Sequence, residues 1–330
     1  MKVQMYSVRP DEKDAITQNA AALDCVVDTV NHDFTPADIA NLQGYDVLCL
    51  AQHGAIGAAS DYAKIAAAGV HHIALRITGY DIIDLKAAAA NGIKVTNVPA
   101  YSPRSVGEMT LTHAMLLLRH LNEAKARMAA GDYSWGGLEA DEIHTLTVGI
   151  IGVGKIGSAV ARLFYALGAT IIANDPIKRP ELSDILTYVD KETLLKTADI
   201  VTVHTPLDDT THHLIDAAAL ASMKPTAILL NCARGPIVDT DALIAALENK
   251  TIAAAGIDSI EDENGIFGDN LTGQAVPNPR LLKLQQMSNV SVSPHMAFYT
   301  RPAVANMVAI ALHDADTIAK GGVSEHEIKG

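Results

Sequence analysis

A glycine fingerprint in the middle of the chain constrains the fold more than any other feature. Thr147 to Ile151 is a short, apolar, largely β-branched run, as a buried parallel strand requires. Gly152, Gly154 and Gly157 follow in G-x-G-x-x-G spacing, and Ser158 to Leu167 continues with helical periodicity. A second apolar run, Thr170 to Ala173, then leads to Asp175. Each glycine has a physical task. Gly152 permits the tight turn, Gly154 leaves bare backbone against a pyrophosphate, and Gly157 lets the helix pack closely on the strand. The helix N-terminus offers free N–H groups and a positive dipole end to phosphates. Asp175, 18 residues after Gly157, is placed to accept hydrogen bonds from the ribose of NAD. A dinucleotide-binding unit is the expectation.

At 330 residues the chain is long enough for two domains, each with a substantial core. Hydrophobic residues make up 49% but aromatics only 4%, with abundant alanine, a composition suited to helices packed closely on sheets. The formal net charge of −13 argues against nucleic-acid or anionic-membrane partners, because nothing supplies a broad basic face. Cys25, Cys49 and Cys232 are odd in number and lie in or beside apolar runs, which predicts reduced thiols in a cytoplasmic protein. The N-terminal Met-Lys-Val-Gln-Met-Tyr leads directly into a strand pattern, so no signal peptide is expected. No uninterrupted apolar run reaches the ~18 residues that a membrane-spanning helix needs.

Before the fingerprint, residues 1–100 alternate apolar strands (Lys2–Val8, Cys25–Val30, Asp46–Ala51, His72–Arg76, Lys94–Val98) with helical runs. They predict a parallel α/β domain of their own. Ser102 with Pro103 forms a helix start, and Ser105-x-x-Glu108 offers an alternative capping box. A single helix running to Met128 is expected, roughly 25 residues and ~38 Å long. After Leu146 the alternation resumes with strands at Thr170–Ala173, Ile200–His204, Ala227–Asn231, Ile252–Ile257 and Val290–Ser293. A final helix, Pro302 to Lys320, is placed to return to the first domain. The predicted fold is α/β with two doubly wound parallel sheets: a Rossmann domain at 101–299 inserted into a flavodoxin-like domain of 1–100 plus 300–330.

Polar residues of catalytic type cluster just after strands in the second half, the edge where open α/β sheets bind ligands. Arg234, in Asn231-Cys232-Ala233-Arg234-Gly235-Pro236, follows a buried strand; the alternative for it is a surface ion pair. Glu261, Asp262 and Glu263 follow Asp258, in a stretch that composition alone assigns to a solvated loop. His295 follows a strand and Pro294, where a structural histidine is the alternative.

With these residues the chain resembles the D-isomer-specific 2-hydroxyacid dehydrogenase family, most closely its D-lactate dehydrogenase branch, over nearly its whole length. The resemblance is carried by Arg76-x-x-Gly79-x-Asp81-x-x-Asp84, Asn97-Val98-Pro99-x-Tyr101-Ser102-Pro103, the glycine fingerprint with Asp175, and His204-x-Pro206. Further carriers are Ala233-Arg234-Gly235-Pro236, Glu261-x-Glu263-x-Gly265-Ile266-Phe267 and Pro294-His295-x-Ala297-Phe298-Tyr299-Thr300. It implies reduction of a 2-keto acid by NADH, with His295 as acid/base, Glu263 as its carboxylate partner and Arg234 clamping the substrate carboxylate. A carboxylate partner stabilises imidazolium and keeps an acid available for reduction; Arg suits the clamp through its planar fork. Glu261 is the alternative partner for His295.

The resemblance also implies cofactor contacts at Lys155, Ile156, Asp175, Thr205, Pro206, Thr211, Cys232, Ala233 and Asp258. Asp175 would repel a 2′-phosphate and so favour NAD over NADP. Substrate contacts are implied at Gln52, Thr78, Gly79, Tyr101 and Phe298, in a cleft between domains with hinges near residues 99–102 and 296–300. A homodimer built on the helix after Ser102 is implied too. Two departures bear on the substrate. Ile77-Thr78 replaces the family's commoner Asn/Ser-Val/Ala, and Gln52-His53 stands where lactate-selective members often carry an aromatic residue. Bulkier 2-keto acids of the 2-hydroxyisocaproate or phenyllactate type are therefore the alternative substrates. From a different class, a non-catalytic NAD-sensing corepressor is the alternative function. No Cys/His set has ligand spacing such as H-E-x-x-H or C-x-x-C, so no metal is expected.

Overall fold

Alternating apolar strands and amphipathic helices force parallel pairing, because a chain that returns through a helix re-enters the sheet in the same direction. The protein, described by a computed structural model over residues 1–52 and 54–329, does this twice. One unit comprises Met1–Ser102 with Tyr299–Gly330, the other Pro103–Phe298.

In the first unit, β1 (Lys2–Met5), β2 (Val26–Thr29), β3 (Val47–Leu50), β4 (His72–Leu75) and β5 (Lys94–Thr96) form an all-parallel sheet in the order β2-β1-β3-β4-β5. This is the flavodoxin-like order. Helices α1 (Lys13–Ala22), α2 (Ala59–Ala67) and α3 (Leu85–Ala90) connect the strands. The period-2 alternation of β3 divides it between two cores. Val47 and Cys49 face α1 and the C-terminal helix, whereas Leu48 and Leu50 join Tyr62, Ile65 and Ala88 on the opposite side.

Arg76, directly after β4, is wholly buried: its Nε donates to Glu12 Oε1 at 3.0 Å and its Nη2 to the carbonyls of Tyr6 and Ser7. Both partners of this ion pair are fully buried, so truncating one would strand the other's charge.

The second unit begins with α4 (Pro103–Leu118) and α5 (Leu121–Ala129). Its sheet contains β6 (Thr147–Ile151), β7 (Thr170–Asn174), β8 (Thr187–Tyr188), β9 (Ile200–Val203), β10 (Ile228–Asn231), β11 (Ala254–Ile257) and β12 (Val290–Val292). The order is β12-β11-β10-β9-β6-β7-β8, all parallel. Strand order reverses between β6 and β9, which puts the glycine turn at the switch point of a Rossmann sheet. Helices α6 (Lys155–Ala166), α7 (Lys191–Thr197), α8 (Ala217–Ser222), α9 (Thr240–Glu248) and α10 (Pro279–Gln285) cover it, and α11 (Arg301–Ala319) returns the chain to the first unit.

The predicted elements differ from these in a few places. The single long helix is two: His120 adopts φ 49°, and that left-handed residue ends one helix before Leu121 starts the next. The helix starts at Pro103 as the first of the two caps predicted, while Ser105 is buried and donates to the Ala297 carbonyl at 2.8 Å. The short edge strand β8 carries no apolar run and was not predicted. His53, part of the Gln52-His53 motif, lies outside the described residues.

Candidate active site

The turn after β6 is as tight as its glycines allow. Gly152 has φ 88°, and a Cβ there would meet the His204 carbonyl oxygen at 2.7 Å. At Gly157 a Cβ would lie 2.0 Å from the Gly152 oxygen, so only glycine lets α6 start this close to its strand. Gly154 is different: nothing of the protein lies within 4 Å of a Cβ built there. Bare backbone thus faces open space at the N-terminus of a twelve-residue helix that no side chain caps, a cradle fitted to a diphosphate.

Around this turn stand the other residues expected to hold a cofactor. Lys155 and Ile156 open α6. Asp175, at the end of β7, accepts from the Val153 N–H at 2.6 Å and the Ile177 N–H at 2.7 Å. A carboxylate has roughly four acceptor sites, so capacity for a ribose hydroxyl remains. Thr205 and Pro206 follow β9; the Thr205 hydroxyl is buried without a partner, and its methyl would lie 3.0 Å from a Cβ on Gly152. An orphaned donor beside an open phosphate cradle fits a polar ligand that supplies the missing bond.

Thr211 closes the loop by donating to the Pro206 carbonyl at 2.7 Å and accepting from Asp208 N at 2.8 Å. Cys232 lies buried against Val106 and Ala297, and burial pushes its thiol up to about 12, leaving it inert. His204 is held neutral by burial, its pKa lowered to about 3, with Nε2 2.9 Å from Thr202 Oγ1.

The loops after β10 and β11 are locked together. A Cβ on Gly235 would fall 2.1 Å from the carbonyl carbon of Ile260, so the two backbones touch where only glycine fits. Asn231 stitches the same junction, donating to the carbonyls of Arg234 (2.9 Å) and Ser259 (3.3 Å) and accepting from Ala233 N (3.1 Å). Arg234, half-buried, is held in this junction and spends one N–H on the Ala233 carbonyl.

From Ile260 the chain turns so that its own N–H donates to Glu263 Oε2 at 2.8 Å. The other oxygen, Glu263 Oε1, lies 2.5 Å from His295 Nδ1. Glu261, two residues earlier, is committed elsewhere: His213 Nε2 at 2.8 Å, the Thr240 N–H at 3.0 Å and Arg280 at 3.3 Å. Burial alone would raise the Glu261 pKa, but the hydrogen bonds from His213 and Thr240 and the Arg280 charge hold it below the usual carboxylate range. Of the two carboxylates the sequence left open, Glu263 is the one that contacts His295.

His295 itself has φ 50°, a conformation strained for a non-glycine residue. Asp258 over-determines it. Its carbonyl accepts from His295 N at 2.8 Å, and its carboxylate accepts from Met296 N at 3.0 Å, Ala297 N at 2.9 Å and, in a very short bond, Ser293 Oγ. Ser293 Oγ is in turn 2.9 Å from His113 Nε2, whose Nδ1 lies 2.9 Å from Ser291 Oγ. Asp258, also expected to contact the cofactor, is only 1% exposed and anchors the histidine loop. His113 gave no sequence signal; only the packing of α4 against β11 and β12 brings it to Ser293.

In the first unit, Thr78 donates to the Val98 carbonyl at 2.9 Å and Asn97 donates to the Thr78 carbonyl at 2.6 Å, fixing the backbone of the 76–79 turn that includes Gly79. The Tyr101 carbonyl accepts from Asn306 at 2.7 Å. Phe298, half-buried, ends the second unit. Gln52, expected to contact the substrate, is tied to the backbone around it. Only 3% exposed, it accepts from Phe34 N at 2.9 Å and donates to the carbonyls of Phe34 (3.2 Å) and Gly54 (2.9 Å). Both amide hydrogens are spent on backbone, so this side chain has none left to donate to a ligand.

Residues 111–297 match the family model described as D-isomer specific 2-hydroxyacid dehydrogenase, NAD binding domain. A D-lactate/D-glycerate dehydrogenase of Pediococcus acidilactici is 37% identical over 334 residues, covering 100% of this chain and 99% of that protein. Among solved structures, a D-lactate dehydrogenase from Sporolactobacillus sp superposes with a TM-score of 0.87 at 49% identity, over 100% of this chain and 99% of its own. The NAD-complexed D-isomer specific 2-hydroxyacid dehydrogenase of Lactobacillus delbrueckii ssp. bulgaricus gives 0.90 at 42% identity, with both chains fully covered.

Proposed function

The chain belongs to the D-isomer-specific 2-hydroxyacid dehydrogenases, NAD-dependent oxidoreductases, and from that premise we propose that it reduces pyruvate to D-lactate with His295, Glu263 and Arg234 as its catalytic residues. The observation that carries this reading is the His295–Glu263 contact at 2.5 Å, held within the same unit as the glycine cradle. Gly152, Gly154, Gly157, the first turn of α6, Asp175 and Thr205 are the residues that hold NAD, whose reduced form supplies the hydride to the keto carbon.

In this reading Glu263 takes Nδ1 of His295, so Nε2 delivers the proton to the keto oxygen. Transfer to oxygen turns imidazolium into neutral imidazole, and Glu263 keeps the ring oriented in both states. Arg234 binds the substrate carboxylate and polarises the carbonyl. Thr78, Gly79, Tyr101 and Phe298 are the further residues that the family resemblance assigns to the substrate. Lactate-named relatives support pyruvate as substrate.

His295→Ala is expected to lower kcat by ~10²–10⁴-fold, the range of a lost general acid, with NADH affinity nearly unchanged in a fluorescence titration. Lost NADH affinity would make His295 structural. Values of kcat/KM across 2-keto acids of increasing side-chain length test the substrate; a maximum at a branched or aromatic acid would replace pyruvate. Tight NADH binding without turnover on any of them would favour a sensor.

A homodimer in the cytoplasm completes the reading. Tyr133 and Trp135, 79% and 83% exposed, lie just after α5 and support a partner-covered face, which a molar mass by light scattering tests. The three free thiols support a reducing compartment. Among the described residues no helix is long and apolar enough to cross a membrane.

A further inference from the structure

Two histidines and a carboxylate meet on the second unit in an arrangement the proposed hydride-transfer chemistry does not use. One ligating atom from each of His212, His213 and Glu261 lies within 4.8 Å of the others. Adjacent side chains of an extended chain point in opposite directions. Here the left-handed backbone at His213, φ 50°, is accompanied by parallel imidazoles, their centroids 4.1 Å apart and planes 25° from each other. We propose that His212, His213 and Glu261 form a site for one divalent ion of the borderline transition metals, for which Zn²⁺ is the probe.

The donor chemistry supports this on three grounds. Two neutral imidazoles and a carboxylate are a set that zinc takes readily, leaving a fourth position for water. Glu261 is already oriented: Oε2 is fixed by Thr240 N at 3.0 Å and Arg280 at 3.3 Å, while Oε1 faces His213 Nε2 at 2.8 Å. A metal would take the place of the proton now shared in that last contact. That proton then moves to Nδ1 of the same ring, which lies 3.9 Å from Asp239 Oδ2, so a small turn of the ring would bring it within hydrogen-bond reach of a supporting carboxylate.

Arg280 is a cation paired with Glu261 at the cluster, and it is shared with Asp241 and Asp262 at 3.4 and 2.5 Å. With Asp239 and Glu261 these carboxylates leave the neighbourhood acidic. Ligands around tetrahedral zinc stand roughly 3.3 Å apart, given bonds of about 2.0 Å. His213 and Glu261 need only a small opening, and His212, the exposed member, has to close a gap of no more than 4.8 Å.

The position gives the site a consequence, which rests on the proposed role of Glu263. Glu261 and Glu263 share the short turn that Ile260 N closes on Glu263. Drawing Glu261 toward a metal moves the carboxylate partner of His295, so occupancy should slow turnover.

Titration calorimetry of the full chain with ZnCl₂, without chelating buffer, separates the two claims. Binding of one equivalent is expected, weakened at least about tenfold in His212→Ala and in Glu261→Gln, and unchanged in His295→Ala. His212 is exposed, so its variant tests the site even if Glu261→Gln folds poorly. Undiminished affinity in His212→Ala, no binding at all, or loss only in His295→Ala would overturn the site, the last by placing the ion on the catalytic pair. Inhibition by zinc that persists in His212→Ala would overturn the coupling while leaving the calorimetric result to stand by itself.

Discussion

His295 is held in a left-handed backbone conformation by a buried aspartate, so its precision comes from Asp258 as much as from Glu263. The carboxylate partner sets the ring and the anchor sets the backbone. Arg234 gains its position differently, from the close approach of Gly235 to Ile260 that joins its loop to the carboxylate turn. Arg234→Lys should raise the KM for the keto acid and lower kcat, because an ammonium cannot reproduce the bidentate fork. Steady-state kinetics with an unchanged KM would remove Arg234 from the clamp. Gln52 shows the limit of reading a residue from its place in a motif. Its amide is used by the backbone at Phe34 and Gly54, which fixes the rotamer of the side chain and leaves it no N–H to donate.

At the scale of elements, every strand but β8 was legible, because each is a short apolar run bounded by turn residues, and β6 was placed to the residue. Their ends were less so: several predicted strands run one to three residues past the observed ladder, since apolar character continues into buried connections. The break after α4 was invisible because Arg119-His120 contains neither glycine nor proline.

The glycine turn yields a paired prediction. Gly154 has φ −67° and open space around it, so Gly154→Ala should fold with an unchanged Tm and bind NADH more weakly. Gly157→Ala must push α6 off the Gly152 carbonyl and should lose about 1–3 kcal/mol of stability as well. Equal melting temperatures for the two variants would contradict this account of the turn.

Each unit of the molecule also encloses a neutral histidine. In the first, burial lowers His72 to about 3, with Nε2 2.9 Å from Thr96 Oγ1; in the second, burial lowers His204 to about 3. Unfolded histidine binds a proton near its ordinary value of about 6.5, so between that value and about 3 the unfolded state holds more protons. Stability is therefore fully present above pH 6.5 and lost as pH falls through that window, by about 2 kcal/mol per histidine at pH 5. Calorimetry at pH 7.5 and 5 should show both units weakened at the lower pH. Unfolding temperatures independent of pH over that interval would mean that these rings are protonated in the folded protein.

The sequence by itself determined the fold class and the cofactor, because both depend on local order: strand runs, glycine spacing, and an acid at the end of the next strand. It also brought Arg234 and His295 forward, since each sits just after a strand where the sheet delivers it to one edge, and the family resemblance added Glu263 from a stretch that composition alone reads as a solvated loop. Only the tertiary structure decided which carboxylate touches His295. Glu261 and Glu263 are two residues apart, and Ile260, His213, Thr240 and Arg280 sort them by hydrogen bonds. It likewise gave Asp258 the backbone of the histidine loop to hold, tied Gln52 to the backbone of Phe34, and paired Arg76 with Glu12 across 64 residues of sequence. A buried polar group must find its partner wherever the packed chain provides one, and that address is written in three dimensions rather than in spacing.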